Sequence, residues 1–341
     1  MKFLRNILDS IEPHFLNEGK LRTFYPMYEM IDTFLYTPSD NTSSGPHIRD
    51  SIDLKRSMVI VVIALLPAFF FGIYNVGLQE ALHGSGITFQ NVDYNFLMHF
   101  FTGLKSVLPI YAVVFMVGGL WEVVFAVTRG HEINEGFLVT GFLIPLVLPP
   151  AIPLWMVGVA TTFGVVIGKE IFGGTGFNVF NPALVARAFL FFAYPASMSG
   201  DKVWTVDGLS GATPLLRISS GKGTSALELL SGHFTWDQMF YGFIPGSIGE
   251  TSTIAILAGA FILLITGIGS WRVMLATMSG MVLTAYILNN LASVIGSTNP
   301  MLYIPPAYHF VMGGFAFGMV FMAADPVSCA QTNLGRWLYG F

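Results

Sequence analysis

From Arg56 onward the chain is a succession of long apolar runs separated by short polar, proline-rich or glycine-rich breaks. A helix needs about 20 apolar residues to cross the hydrocarbon core of a bilayer. The runs near residues 57–77, 106–128, 137–149, 153–169, 182–198, 250–269, 273–295 and 308–323 reach or approach that length. They predict an all-α polytopic membrane protein with at least eight transmembrane helices. The third run is short, and Val147 to Pro153 (VLPPAIP) divides it from the fourth as a proline-stiffened reversal. Thr175 to Pro182 (TGFNVFNP) is polar and glycine-led beside a span. Two readings stand for it: irregular backbone lining a cavity at membrane depth, or an interfacial loop.

Residues 1–55 follow another pattern. Phe24, Met27, Tyr28, Ile31, Phe34 and Leu35 recur at helical spacing opposite Glu29 and Asp32, which predicts an amphipathic helix on the membrane surface or packed against the spans. The linker TPSDNTSSGPH then leads to the first span. The chain therefore divides into an N-terminal segment, 1–55, and a transmembrane domain, 56–341. Within the latter, residues from about 200 to 249 have little apolar periodicity and are expected to form a solvent-facing excursion. A faint internal repeat is present. PPA at 149–151 and at 305–307 each precedes a glycine-rich span, and Asn181-Pro182 has a loose counterpart in Asp325-Pro326.

Composition and charge sharpen this picture. Of the 341 residues 53% are apolar and only 11% charged, far from the average of soluble domains. A net charge of -4 without a basic cluster argues against nucleic acid as a partner. With an inside N-terminus and eight alternating spans, eleven of the 16 Lys and Arg residues fall inside, four (Lys105, Lys202, Arg217, Lys222) outside, and Arg187 within a span. That bias predicts a cytoplasmic N-terminus and an extracytoplasmic 200–249 excursion. The first fifty residues show no signal peptide. A lone cysteine, Cys329, supplies neither an intrachain disulfide nor a complete iron–sulfur site, so redox chemistry would need another cofactor or a cluster shared between chains.

Candidate chemistry lies in a few polar residues. Glu122, in GGLWEVVF, is the carboxylate placed well inside an apolar run. Such a group serves a cation path or a structural ion pair. Asp325 follows the last span and either joins an inner vestibule on that path or caps DPVSCAQ as a helix start. Arg187 needs an anion or carbonyl partner, for which Glu170 is one candidate. Asp207-Gly208-Leu209-Ser210-Gly211-Ala212-Thr213 sits in the polar excursion. Its spacing, Asp-x-x-Ser-Gly-Ala-Thr, resembles the recognition motif of transferases that attach FMN to a threonine hydroxyl through a phosphoester outside the cytoplasmic membrane.

The stretches HIRDSIDLKR, HEINEGFLVTGFLIPLVLPPAIPLW, GVVIGKEIFGGTGFNVFNPALVARAFLFFAYPASMSGD and VDGLSGAT together resemble the B-subunit family of the bacterial sodium-translocating NADH:quinone reductase. The D subunit of the Rnf-type ferredoxin:NAD oxidoreductase is a relative with the same membrane core but usually without a long N-terminal extension such as residues 1–50. The resemblance implies a bacterial inner-membrane protein that carries covalent FMN on Thr213, with Asp207, Ser210, Gly211 and Ala212 read by the flavin transferase. It implies a noncovalent riboflavin too, for which Asn178, Asn181 and Arg187 are candidates because amides offer both donors and acceptors. Asn181 has a second reading as the cap of the following helix, with Pro182 at its first position. Sodium is the implied cargo, with Glu122 and Asp325 as path candidates, and no metal is expected as a resident cofactor. Quinone is the implied acceptor, with Gly118 and Gly119 as candidates, although paired glycines also serve helix packing. The implied partners are the A, C, D, E and F subunits of the complex and membrane lipid. Family members continue for further spans beyond a position such as Phe341, so an incomplete C-terminus is expected. A reading from another class, a non-redox channel or secondary transporter, accounts for the broken spans and the repeat but leaves DGLSGAT without a use.

Overall fold

The computed structural model describes residues 2–16, 21–22, 25, 28, 32, 54–85, 95–130, 136–198, 212–221 and 225–341, and these are helical without a strand. A short helix, α1 (Lys2–Ile11), precedes the membrane region. Of the expected amphipathic helix at 24–35 only Tyr25, Tyr28 and Asp32 are described. Tyr28 is buried and stacks on Phe15 at 5.6 Å, while Asp32 accepts a hydrogen bond from Arg5 at 2.7 Å. The rest of that prediction lies outside the described residues.

Two long helices, α2 (Leu54–Ser85) and α3 (Phe96–Arg129), form the first hairpin. The sequence places the start of α3 near residue 106. It begins ten residues earlier because Asn95 caps it, its side chain accepting from Met98 N, and the apolar pattern of Phe96–Leu104 continues past an exposed Lys105. The two helices cross at Gly77 and Gly103, where a β-carbon would run into the carbonyls of His99 and Ile73 respectively. Close approach through small residues substitutes for a hydrophobic drive that lipid cannot provide.

Three short apolar helices follow: α4 (Gly136–Leu146), α5 (Leu154–Val166) and α6 (Pro182–Ala193). Helix α4 packs on α2 and α3, and α5 joins α3 to α6. The prolines between α4 and α5 leave carbonyls free, and two of these find donors far along the chain: Ile248 N–H donates to Leu148 O at 3.1 Å and Gly249 N–H to Leu146 O at 2.7 Å. Irregular backbone is thus satisfied inside the protein, as membrane depth demands.

The 200–249 excursion is more ordered than its sequence suggests. Its described part holds α7 (Pro214–Ser220), α8 (Ala226–Leu230) and α9 (Trp236–Tyr241), each capped by a hydroxyl, from Thr213, Ser225 and Thr235. Ile218, Leu230 and Met239 form a small separate core with Ile304, Val311 and Met312. Helices of five to seven residues are too short to register as periodicity, which is why the sequence reads as open loop.

The chain then returns through α10 (Thr253–Ile265) and α11 (Trp271–Ile295). The eighth predicted span is broken. Helix α12 (Pro306–Val311) stops at a bend where Gly313 has φ 63°, a short α-turn (Phe315–Phe317) follows, and this runs into a π-helical segment (Gly318–Ala323). A final helix, α13 (Asn333–Gly340), packs on α11. Among the described residues four helices are long and apolar enough to cross a membrane: Arg56–Leu82, Phe96–Arg129, Leu154–Phe172 and Trp271–Ile295. The other predicted spans are realised as helices of 11, 12 and 13 residues and as the broken eighth. The result is a multi-pass all-α membrane protein in which full spans frame short and interrupted ones.

Candidate functional site

Helix α6 stands between two cavities. At its start the polar TGFNVFNP stretch is irregular backbone beside a small cavity of about 50 Å³. Lys169, Thr175, Asn178, Asn181 and Asp325 contribute to its wall, together with apolar residues of α2, α4 and α10. Asn181 caps α6, its side-chain oxygen accepting from Ala183 N at 3.0 Å and Leu184 N at 3.4 Å, while its amide donates to Asp325 Oδ2 at 3.1 Å. The Asn-Pro and Asp-Pro pairs of the faint repeat therefore meet. Asp325 also accepts from Val327 N at 3.1 Å and from Ser328 Oγ at 2.9 Å, so it organises its own turn as well as facing the cavity. Burial pushes its carboxyl above the ordinary carboxylate range, against these hydrogen bonds, which favour the charged form. Asn178 accepts from Gly176 N at 3.3 Å and donates to Phe180 O at 2.9 Å.

A chain of alternating charges leads away from this cavity. Lys169 is only 2% exposed and is ion-paired with Glu122 of α3. Its ammonium also lies 3.4 Å from Glu170 and 3.5 Å from the Thr175 hydroxyl. Glu170 in turn meets Arg129, whose guanidinium contacts the carboxylate at 3.3 Å and the Glu170 carbonyl at 2.6 Å. Two acids and two bases thus neutralise one another, which is the condition under which buried charges are tolerated. The charge bias puts Lys169 on or near the cytoplasmic side, and the sequence offers Glu170 to Arg187. Lys169 is buried within the protein, and Glu170 is engaged by Lys169 and Arg129 rather than by Arg187. Gly118 and Gly119 lie one turn before Glu122. A β-carbon on Gly118 would enter the Phe137 ring, whereas on Gly119 the nearest atom of that ring would be 3.9 Å away.

The second cavity, of about 400 Å³, opens beside the excursion. Arg187 of α6 lines it, ion-paired with a buried Glu250, the actual partner of this arginine. Thr213 lines the same space from the N-cap of α7, its hydroxyl accepting from Leu216 N at 3.3 Å. Phe191, Leu215 and Met301 supply apolar wall. Thr251, also in the wall, is buried, and its hydroxyl has no hydrogen-bond partner among the described residues. Gly314 leaves room for the Glu250 carboxylate, whose Cδ would sit 2.7 Å from a β-carbon built there. Ala212 is half-buried beside Thr213, and Asp207, Ser210 and Gly211 lie outside the described residues. The structure thus separates Arg187 from Asn178 and Asn181 and brings it to Thr213. Glu250 and Thr251 escape the sequence reading. The signal available was an acid and three hydroxyls opening an apolar run, GETSTIAIL, a pattern that otherwise reads as a helix cap.

Residues 41–341 match the model of the NQR2, RnfD, RnfE family. The chain belongs to this family. It is 51% identical over 354 residues to the B subunit of the Na(+)-translocating NADH-quinone reductase of Chromohalobacter salexigens, covering 99% of this chain and 84% of that protein. It is 50% identical to the proteins of the same name from Yersinia pestis and Pseudomonas paraeruginosa, in each case over 99% of this chain and 87% of the relative. The similarity takes in the full spans and both cavities, since every residue of the two sites falls between positions 41 and 341.

Proposed function

We propose that this chain is the B-type membrane subunit of a sodium-translocating NADH:quinone reductase, bearing FMN as a phosphoester on Thr213. The observation that carries the reading is Thr213 at the edge of a cavity of about 400 Å³, within the range of small-molecule sites, whose wall also holds a guanidinium and a hydroxyl without a partner among the described residues. The DGLSGAT motif and the relatives named as B subunits support it. When bound, FMN supplies one- and two-electron redox chemistry. The chain's own part is to hold and shield it. Thr213 Oγ provides the ester oxygen, Phe191, Leu215 and Met301 keep water from one side of the cavity, and Arg187 and Thr251 offer donors. The flavin transferase reads Asp207, Ser210, Gly211 and Ala212.

Sodium is the transported ion, and Glu122 and Asp325 are its path residues. Lys169 supports the link between them, because one side chain pairs with Glu122 and also lines the small cavity that Asp325 faces. That cavity, at about 50 Å³, suits an ion or water; it does not fit riboflavin, and both Asn178 and Asn181 already engage local partners. No step is assigned to a riboflavin there. Gly119, more open than Gly118, marks where a quinone ring would approach α3 near Phe137. The topology that goes with this function is a cytoplasmic N-terminus in the bacterial inner membrane and an extracytoplasmic Thr213, with the A, C, D, E and F subunits and membrane lipid as partners.

The test is the purified complex. Quinone reduction driven by NADH, stimulated by sodium and abolished by Thr213→Ala is expected. Dependence on ferredoxin without quinone reduction would assign the chain to an Rnf-type complex instead, and sodium flux without any redox activity would make it a channel or transporter.

A further inference from the structure

We infer that Arg187 is a positioning residue that sets the reduction potential of the flavin on Thr213, and that Glu250 limits how much positive charge it presents. This rests on the assignment of FMN to Thr213.

Four observations converge. Arg187 is six residues past Asn181, about 9 Å along α6, which takes it out of the small cavity and into the large one. Its side chain is 33% exposed whereas that of Glu250 is 6% exposed. Both line the large cavity, the guanidinium as the more exposed of the two, and the arginine, with five donors in a planar fork, keeps donors for the cavity. Gly314 preserves this arrangement, since a β-carbon would displace the carboxylate that steers the guanidinium. Thr251, next in sequence to Glu250, adds a buried hydroxyl with no partner among the described residues. A buried polar atom left unpaired at a cavity wall calls for a polar partner, which a guest or a water in the cavity can supply.

The consequence follows from charge. An electron added to a flavin ring without a proton leaves one net negative charge on the ring. A guanidinium beside it stabilises that charge more than the oxidised, neutral ring, and the low dielectric of the site strengthens the effect. Glu250 opposes it. The pair is neutral in sum and both ends line the cavity, but the guanidinium is the more exposed of the two.

The two partners therefore have opposite signs. Glu250→Gln removes the opposing charge and is expected to raise the midpoint potential of the Thr213 flavin. Arg187→Met combined with Glu250→Gln removes both charges without leaving a buried carboxylate alone, and is expected to lower it by about 59 mV, a tenfold change in a one-electron equilibrium. Arg187→Lys retains the charge and keeps the potential close to the unaltered value. The measurement is a spectroelectrochemical titration of the whole purified complex, with the Thr213→Ala complex used to identify the contribution of this flavin, alongside mass analysis of the Thr213 peptide. Shifts in opposite directions with FMN still attached support the inference. If the peptide carries FMN and the midpoints stay put or move in the same direction, the inference fails alone. An unmodified peptide from the unaltered complex overturns the Thr213 assignment and this inference with it.

Discussion

The two cavities flanking α6 contain similar ingredients, a buried acid paired with a base, yet they are built to different ends. Around Lys169 every charge has an opposite charge in contact and the remaining space is about 50 Å³. Around Arg187 the guanidinium is partly open, a neighbouring hydroxyl is unpaired among the described residues, and the space is about 400 Å³. The first arrangement is self-sufficient and suits a place where a small cation must compete with a cation already built in. The second leaves room and an unused hydroxyl that a guest could take up. Charge pairing by itself does not distinguish a structural network from a ligand site; the balance of satisfied and unsatisfied groups does.

The contrast can be disrupted most severely at Lys169. Lys169→Met leaves Glu122 and Glu170 without their shared cation, and removing one partner of a buried pair costs about 3–5 kcal/mol. A sharp fall in thermal stability and in yield of the assembled complex is expected; wild-type stability would show the network to be dispensable. At the other cavity, Gly314→Ala forces the Glu250 carboxylate aside, and overpacking of this kind costs about 1–3 kcal/mol. Its stability loss should be smaller than that of Lys169→Met, and a larger loss would reverse the ranking of the two sites. Glu122→Gln is gentler, because Glu170 still holds Lys169. We expect roughly a tenfold rise in the sodium concentration needed for half-maximal stimulation, equivalent to about 1.4 kcal/mol, with FMN retained on Thr213. Unchanged sodium dependence would remove Glu122 from the ion path. The smallest effect belongs to Thr251→Val. A hydroxyl without a partner contributes little to the fold, so flavin-free protein should change by less than about 0.5 kcal/mol. A large loss there would mean that the hydroxyl is satisfied within the protein after all.

Much of this was legible in the sequence because membranes impose strong patterns. Full spans announce themselves through apolar length, and α2 and α11 fall where the runs do. The early start of α3 did not, since a lysine on the exposed side breaks the run in sequence without breaking the helix. Among candidate residues, Asn181 as a helix cap was readable from the Asn-Pro pair, whereas Asp325, expected as the cap of a helix at DPVSCAQ, organises a turn there and no helix follows until Asn333. The pairing of Arg187 was not. Glu170 and Glu250 are alternatives that sequence distance cannot rank, and only the return of the chain at Ile248–Gly249 onto the α4 reversal brings Glu250 within reach. Thr251 was equally hidden, because an unpaired hydroxyl is defined by its surroundings and leaves no local signature.

Whether Thr213 carries the electron-accepting group that the large cavity accommodates reduces to a mass. Protein made in a host that possesses the flavin transferase is digested, and the peptide containing Thr213 is weighed. One added FMN, joined with loss of water, is expected on the unaltered peptide and none on the Thr213→Ala peptide. An unmodified threonine in the assembled complex, or covalent flavin persisting in the Thr213→Ala protein, would contradict the assignment.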